Sequence, residues 1–381
     1  MNQQVQAPRA TSSTDIRREV VGGVTTFLTM SYIVIVNPTI LAAPGTGMSL
    51  SGVLSATVLV ACSMSLLMGL YARLPFAVAP GMGLNAFLAY TIILQDHVPW
   101  QVALGMIFWA GVLFLLVSAS PLREEIATAI PANLRLATAA GIGLLLTFIG
   151  LRNAGLIAAD PATIVRLGTI DYRSALLLIG LLIAVVLIRR GNPLAFLASI
   201  LVVTALAWGF GYTTPPDRIV SLPDFTSVAL KLDARGALKL TLLPATISIL
   251  FTDLFDSLST FIGVATSAGL TEPDGRPLNL RRGLIVDACA TLVAGLAGSS
   301  SGTAFVESIA GIRMGGRTGL ASVVTAGCFV PCSSSRRLRR QCPPTRQRRC
   351  SCWSASRCSR WSRPSTSCAS KMRCRRLRRS C

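Results

Sequence analysis

Thr241–Leu270, TLLPATISILFTDLFDSLSTFIGVATSAGL, is the stretch from which the fold is read. It is apolar for more than the roughly 20 residues a helix needs to cross a bilayer, yet Asp253 and Asp256 sit near its middle. A carboxylate at the centre of a membrane helix costs about 2.5–3.5 kcal/mol on insertion scales, so the pair points to a polar cavity or pathway. Spaced three apart, the two aspartates share a helical side. Ser248, Thr252, Asp256, Ser259, Thr260 and Gly263 extend a polar or small stripe, which leaves Leu250, Phe251, Leu254, Leu258, Phe261 and Ile262 for lipid or neighbouring helices. The plainer alternative is a pair of buried carboxylates satisfied by neighbouring hydroxyls.

The rest of the chain agrees with a membrane setting. Hydrophobic residues make up 52% and charged residues 14%, against about a quarter charged in soluble domains, and several apolar runs reach spanning length. The formal charge of +20 is unevenly spread: all 16 acidic residues and 20 of the Lys and Arg lie in 1–330, whereas 331–381 holds 16 Lys and Arg and no acid. Cysteine follows the same division, with Cys62 and Cys289 in apolar segments and nine others from Cys328 onward. No nucleophile with a base, no metal constellation and no phosphate loop stands in the body, so an enzyme, a cofactor and a metal are not expected.

Read in order, a polar segment 1–19 ends at Arg17 and Arg18 without a signal-peptide cleavage pattern, and the first span, about 20–41, is read as uncleaved. Further spans are expected at about 50–71, 100–119, 134–151, 174–188, 194–212, 241–270 and 283–298, with a mixed linker at 152–172 and a long polar loop at 213–240. Two segments break the pattern. FAVAPGMGLNAFLAYTII, after Pro75, carries Pro80, Gly81 and Gly83, and SSSGTAFVESIAGI, after Gly298, is equally glycine-rich and carries Glu307. They are the third and tenth apolar units, and interrupted segments at matching places in two halves point to an inverted-repeat transporter with its site at the midplane. Thirteen basic residues on one side of these spans against seven on the other, counted over 1–330, place the N-terminus in the cytoplasm.

REVVGGVTTFLTMSYIVIVNPTIL, PFAVAPGMGLNAFLAY, FTDLFDSLSTFIGVA and GTAFVESIAGIRMGGRTGL resemble, in this order and over about residues 15–328, the AzgA-like adenine, guanine and hypoxanthine permeases of the nucleobase–cation symporter-2 (nucleobase–ascorbate transporter, xanthine/uracil permease) family. The resemblance implies an all-α polytopic membrane protein with a 7+7 inverted-repeat fold of core and gate domains, and short strands in broken spans 3 and 10. It implies proton-coupled purine uptake in the bacterial inner membrane. The family's span 8 carboxylate falls on Asp256 with Asp253 beside it, its span 10 glutamate on Glu307, and its span 3 polar residue on Asn85. Substrate binding is therefore expected at Asn85, Asp253, Asp256 and Glu307, and proton coupling at Asp256 or Glu307. The chemistry suits a flat, neutral base rich in edge donors and acceptors, which needs a few polar groups in an apolar slot. The expected partners are a purine nucleobase, a proton as coupling ion, the lipid bilayer and a second copy in a homodimer, with no nucleic acid.

On this reading the chain divides into 1–19, a first seven-span repeat 20–212, the extracytoplasmic loop 213–240, an incomplete second repeat 241–330 with spans 8–10 and the start of 11, and the tail 331–381. After Val330 the sequence turns to PCSSSRRLRRQCPPTRQRRCSCWSASRCSRWSRPSTSC, which reads as a shifted frame of a GC-rich gene and is disordered by composition. Without spans 11–14 such a copy is not expected to transport. Two alternatives remain: the same fold carrying uracil, xanthine or another small solute, and a membrane-anchored binder of anionic lipid or RNA acting through the basic tail.

Overall fold

The computed structural model describes residues 13–120, 132–160, 163–192, 195–212, 224–271 and 277–334, so the expectations for the tail lie outside the described residues from 335 onward. The first apolar run, Ile16–Leu41, is long and apolar enough to be the single span expected, interrupted by a turn at 31–32 into α1 (Ser13–Met30) and α2 (Ile33–Leu41). Back-bonding weakens the ladder ahead of the break: Thr25 Oγ1 donates to Val21 O, Thr29 Oγ1 to Thr26 O and Ser31 Oγ to Leu28 O. Pro38 inside α2 then removes one more amide donor. Next come α3 (Leu50–Leu67), extended by a π-helical turn at Met68–Ala72, strand β1 (Val78–Pro80), α4 (Met82–Ala86), which continues as π-helix over Phe87–Gln95, and α5 (Trp100–Ala119).

The mixed linker is in part a hairpin. α6 (Ala132–Asn153) leads into β2 (Ile157–Asp160) and β3 (Ile164–Leu167), which pair antiparallel, and α7 (Tyr172–Arg189) and α8 (Ala195–Gly209) follow. α9 (Leu243–Ala268) carries the aspartates; Pro244 sits in its first turn, and Gly269 at φ 65° ends it with the left-handed cap only glycine adopts readily. α10 (Leu280–Ala297), β4 (Gly302–Ala304), α11 (Ser308–Arg313) and α12 (Gly319–Phe329) complete the described chain. Among the described residues, five helical stretches are long and apolar enough to cross a membrane, and Met82–Gln95, Ala195–Gly209 and Gly319–Cys332 are shorter apolar helices.

The core forms where helices meet without intervening side chains. α10 lies along α5 and α3, and α12 sits between α1 and α3. At the second contact a Cβ built on Gly319 would stand 2.1 Å from the Gly69 carbonyl oxygen, so the two backbones touch directly. At the first, between α1 and α12, Glu19, 6% exposed, accepts from the Arg317 and Thr318 amides at the start of α12. α7 and α8 pack mainly on each other, Tyr172 stacking on Tyr212 at 4.3 Å, and turn Leu178, Leu181, Leu182 and Leu201 outward.

Two broken segments meet at the centre. β1 and β4 pair antiparallel, with Val78 opposite Ala304, Ala79 opposite Thr303 and Pro80 opposite Gly302. The ladder continues through Gly81 N to Ser301 O at 2.8 Å and Phe305 N to Ala77 O at 2.9 Å. Extended backbone at this depth has no water to bond, and hydroxyls from surrounding helices serve instead. Ser65 Oγ accepts from Val78 N and donates to Val78 O, Ser308 Oγ accepts from Ala77 N, and Ser322 Oγ donates to the Leu74 and Phe76 carbonyls.

The described part of the polar loop is not a free excursion. Residues 224–238 strap across the ends of α3, α5 and α10: Val228 and Ala237 are each 1% exposed, Leu230 N donates to Leu296 O, and Trp109 Nε1 donates to Ala234 O. Asp224 anchors the strap, accepting from Ser51 Oγ at 2.8 Å. That hydroxyl, aided by Ser227 and Thr226, holds the Asp224 carboxyl below its ordinary value. A lowered folded-state value gives stability that is full above the unfolded carboxylate value of about 3.9 and is lost as pH falls through the folded one. Limited proteolysis across this range is expected to show the strap loosening only below about pH 4, and Ser51→Ala to move that onset upward.

Candidate functional site

Polar side chains gather around the strand crossing, in a region otherwise built from apolar helices. Asp253 is 1% exposed and both of its oxygens are taken: Thr291 Oγ1 of α10 donates to Oδ2 at 2.6 Å, and Ser301 Oγ, just ahead of β4, donates to Oδ1 at 2.9 Å. Thr291 Oγ1 also lies 3.1 Å from the Gly302 carbonyl oxygen, so one hydroxyl ties α9 to both α10 and β4. One turn along, Ser257 of α9 donates to Asp287 of α10, which is fully buried.

A second network lies on the other side of the Ser299–Ser301 stretch. Asn85, fully buried in α4, donates through Nδ2 to Asn37 Oδ1, and Asn37 Nδ2 donates to Thr57 Oγ1 at 2.6 Å and Ser299 Oγ at 3.0 Å. The three-serine run thus joins the asparagine network at Ser299 to the aspartate network at Ser301. Asn37→Ala would strand the buried Asn85 amide and take a partner from the Ser299 hydroxyl, while Thr57 keeps its bond to the Val53 carbonyl. We expect it to cost about 1–3 kcal/mol, read as a lower midpoint in a thermal unfolding assay in detergent, with Asn37→Asp less costly.

Glu307 and Asp256 are the more open pair. Glu307, between β4 and α11, is half-buried and accepts from Tyr32 Oη at 2.6 Å, at the break between α1 and α2. The Tyr32 ring lies 5.8 Å from that of Phe196, which brings α8 to the edge of the site. Asp256 is half-buried on the side of α9 where Ser248 is exposed and Gly263 has nothing within 4 Å of a built Cβ. α9 in turn packs on β4 and α11.

The expected residues therefore separate by environment. Asp253 and Asn85 are closed into hydrogen-bonded networks, while Asp256 and Glu307 retain exposed surface. Of the stripe read from Thr241–Leu270, Ser248 and Gly263 are exposed and Thr252, Asp256 and Ser259 half-buried, whereas Thr260 is buried; Leu254, Leu258 and Phe261 are packed in the core. Of the aromatics near the site, Phe305 is packed in a core cluster with Met30 and Phe329, and Phe255 contacts Phe251 at 5.7 Å. Three contributors escaped the sequence reading. Asp287 has the same signal as Asp253, an acid in mid-span; Asn37 is an amide beside a proline in a spanning run; Tyr32 has no sequence signal beyond its place in the first motif.

The family profile described as Permease family (Xan_ur_permease) matches residues 17–333. The chain belongs to this permease family. Among its relatives, the adenine permease AdeP of Escherichia coli strain K12 is 40% identical over 318 residues, covering 83% of this chain and 71% of AdeP. The guanine/hypoxanthine permease PbuO of Bacillus subtilis strain 168 is 39% identical over 324 residues, covering 83% of this chain and 74% of PbuO. The transmembrane domain of the cyanobacterial bicarbonate transporter BicA has a similar fold, with TM-score 0.59 at 18% identity, covering 84% of this chain and 83% of that domain. The resemblance drawn from four motifs is thereby borne out. This permease is a multi-pass membrane protein of a transporter fold, and its relatives are transporters and not enzymes.

Proposed function

We propose that this permease is a proton-coupled secondary transporter of purine nucleobases such as adenine, guanine and hypoxanthine. The observation that carries the reading is the placement of Asn85, Asp253, Asp256 and Glu307 around the β1–β4 crossing in a chain 40% identical to AdeP. A purine offers ring N–H and exocyclic amine donors that a carboxylate accepts, and ring nitrogens that an amide N–H meets. Asp256 and Glu307, which keep exposed surface, contact the base and exchange the coupling proton. Asp253 and Asn85 complete the polar wall, Asp253 by holding Ser301 and β4 in place.

The antiparallel meeting of the third and tenth apolar segments supports a 7+7 inverted repeat of core and gate, with 20–212 as the first repeat, 213–240 as the extracytoplasmic connection and 241–330 within the second. The basic-residue count supports a cytoplasmic N-terminus in the bacterial inner membrane. A homodimer belongs to the same reading and is checked by native mass in detergent. The family match ends at residue 333 and the chain spans 71% of AdeP, so the test below supplies the remaining part of a transporter from AdeP.

The test is a chimaera of residues 1–330 continued by the corresponding C-terminal part of AdeP, made in cells lacking purine permeases. We expect saturable adenine uptake that guanine or hypoxanthine competes and a protonophore abolishes. Competition by uracil or xanthine alone would change the cargo, and no saturable uptake of any base by a membrane-inserted chimaera would overturn the proposal.

A further inference from the structure

The buried polar groups between α9 and α10 form a ladder with a regular construction. Asp253 and Ser257 are one turn apart on α9; Asp287 and Thr291 are one turn apart on α10. The rungs are reversed: Thr291 of α10 donates to Asp253 of α9, and Ser257 of α9 donates to Asp287 of α10. The β4 residue Thr303 lies at the second rung, its Oγ1 3.5 Å from Ser257 Oγ. Each rung is one carboxyl and one hydroxyl, and no cation enters either.

The two carboxyls are not equivalent. Both oxygens of Asp253 accept hydrogen bonds, whereas Asp287, at 0% exposure, uses Oδ2 alone. Its Oδ1 is without a hydrogen-bond partner, and the Ala304 backbone amide lies near the carboxyl. The elements packed against α10 bring no positive charge to it. α5, β1 and β4 contain no titratable side chain, α3 only Cys62, the π-helical turn after it the exposed Tyr71 with Arg73 just beyond, and α9 only Asp253 and Asp256, while α10 itself adds Cys289 and, at its far end, Arg281 and Arg282. An ionised Asp287 would leave an unpaired buried oxygen beside two like charges, and a proton on Oδ1 removes both penalties.

We propose that Asp287 is the resting place of the coupled proton, held behind the substrate-facing carboxyls and exchanged with the site through Asp256, the half-buried member of the α9 pair. Asp287 is then a coupling residue that does not touch the base. This rests on the transport reading for its purpose but not for its measurement. The proton arrives on a carboxylate oxygen as H⁺ from the site and leaves as H⁺, so nothing else is consumed.

The experiment is infrared difference spectroscopy of the purified 381-residue chain in lipid nanodiscs, stepping pH without purine and following the C=O stretch of protonated carboxyls. The expected result is a band lost in Asp287→Asn and kept in Asp256→Asn and Glu307→Gln. Ser257→Ala, which keeps the carboxyl and removes its donor, is expected to shift the band without abolishing it. A band unchanged in both Asp287→Asn and Ser257→Ala, or no protonated-carboxyl band in the parent chain, overturns the proposal. In the AdeP chimaera, Asp287→Asn is expected to abolish accumulation in a pH gradient, about tenfold per pH unit for one coupled proton, and to retain counterflow exchange. A purely structural role would lower both together. A chimaera that moves no base would defeat the substrate reading alone, since the spectrum still reports on Asp287.

Discussion

Glu307→Gln in the AdeP chimaera is expected to weaken purine binding about 100-fold, roughly 3 kcal/mol, while leaving the amount of folded protein unchanged. Glu307 keeps exposed surface beside the strand crossing, so its carboxylate is available to accept from a base, and a charge-assisted acceptor is about twice as strong as a neutral one. Glutamine matches the shape, keeps an acceptor for Tyr32 Oη and adds an amine that faces the purine's own donors. Tyr32→Phe separates position from charge: it frees the carboxylate from its 2.6 Å partner and is expected to cost less than Glu307→Gln. Equilibrium binding of radiolabelled adenine measures both. A Glu307→Gln affinity within about twofold of the parent would remove Glu307 from the site.

Gly319→Leu is expected to prevent assembly of the bundle. A Cβ at that position would stand 2.1 Å from the Gly69 carbonyl oxygen and 3.0 Å from Arg73 Cα, and backbone on both sides leaves nowhere for a side chain to go. Separating the helices would also pull Ser322 from the Leu74 and Phe76 carbonyls and Glu19 from the Thr318 amide. The combined loss exceeds about 4 kcal/mol, a large part of a typical domain's stability. Gly141→Ala is the control, since nothing lies within 4 Å of a Cβ there. Fluorescence-detected size exclusion should show Gly319→Leu only as aggregate and Gly141→Ala as the parent species; a monodisperse Gly319→Leu protein would contradict the packing.

The features legible in the sequence are those where a residue is wrong for its surroundings. Pro80 and Gly81 interrupt a helix, and the chain there is strand followed by helix, although Gly83 lies within α4. Asp253 and Asp256 are expensive in an apolar run, and both lie at the strand crossing or beside it. Which of the two is closed off was not legible. A spacing of three puts them about 60° apart on the helix, and only the positions of Thr291 and Ser301 decide that Asp253 is the covered one. Asp287 carries the same cost signal, set in GLIVDACATLVAGLA, which otherwise reads as an uninterrupted span. The strap 224–238 was illegible for a different reason: its polar composition describes a solvated loop, while Val228 and Ala237 are buried by helix ends distant in sequence. The break between α1 and α2 depends on several weak hydroxyl back-bonds acting together, none of which marks a boundary alone.

The central claim is that the base binds between α9 and the paired strands. An experimental structure of the AdeP chimaera with adenine bound tests it most directly. Base density beside β1–β4, with Asp256 and Glu307 within hydrogen-bonding distance, is the predicted result; density elsewhere, with those two carboxyls apart and facing lipid, would contradict it.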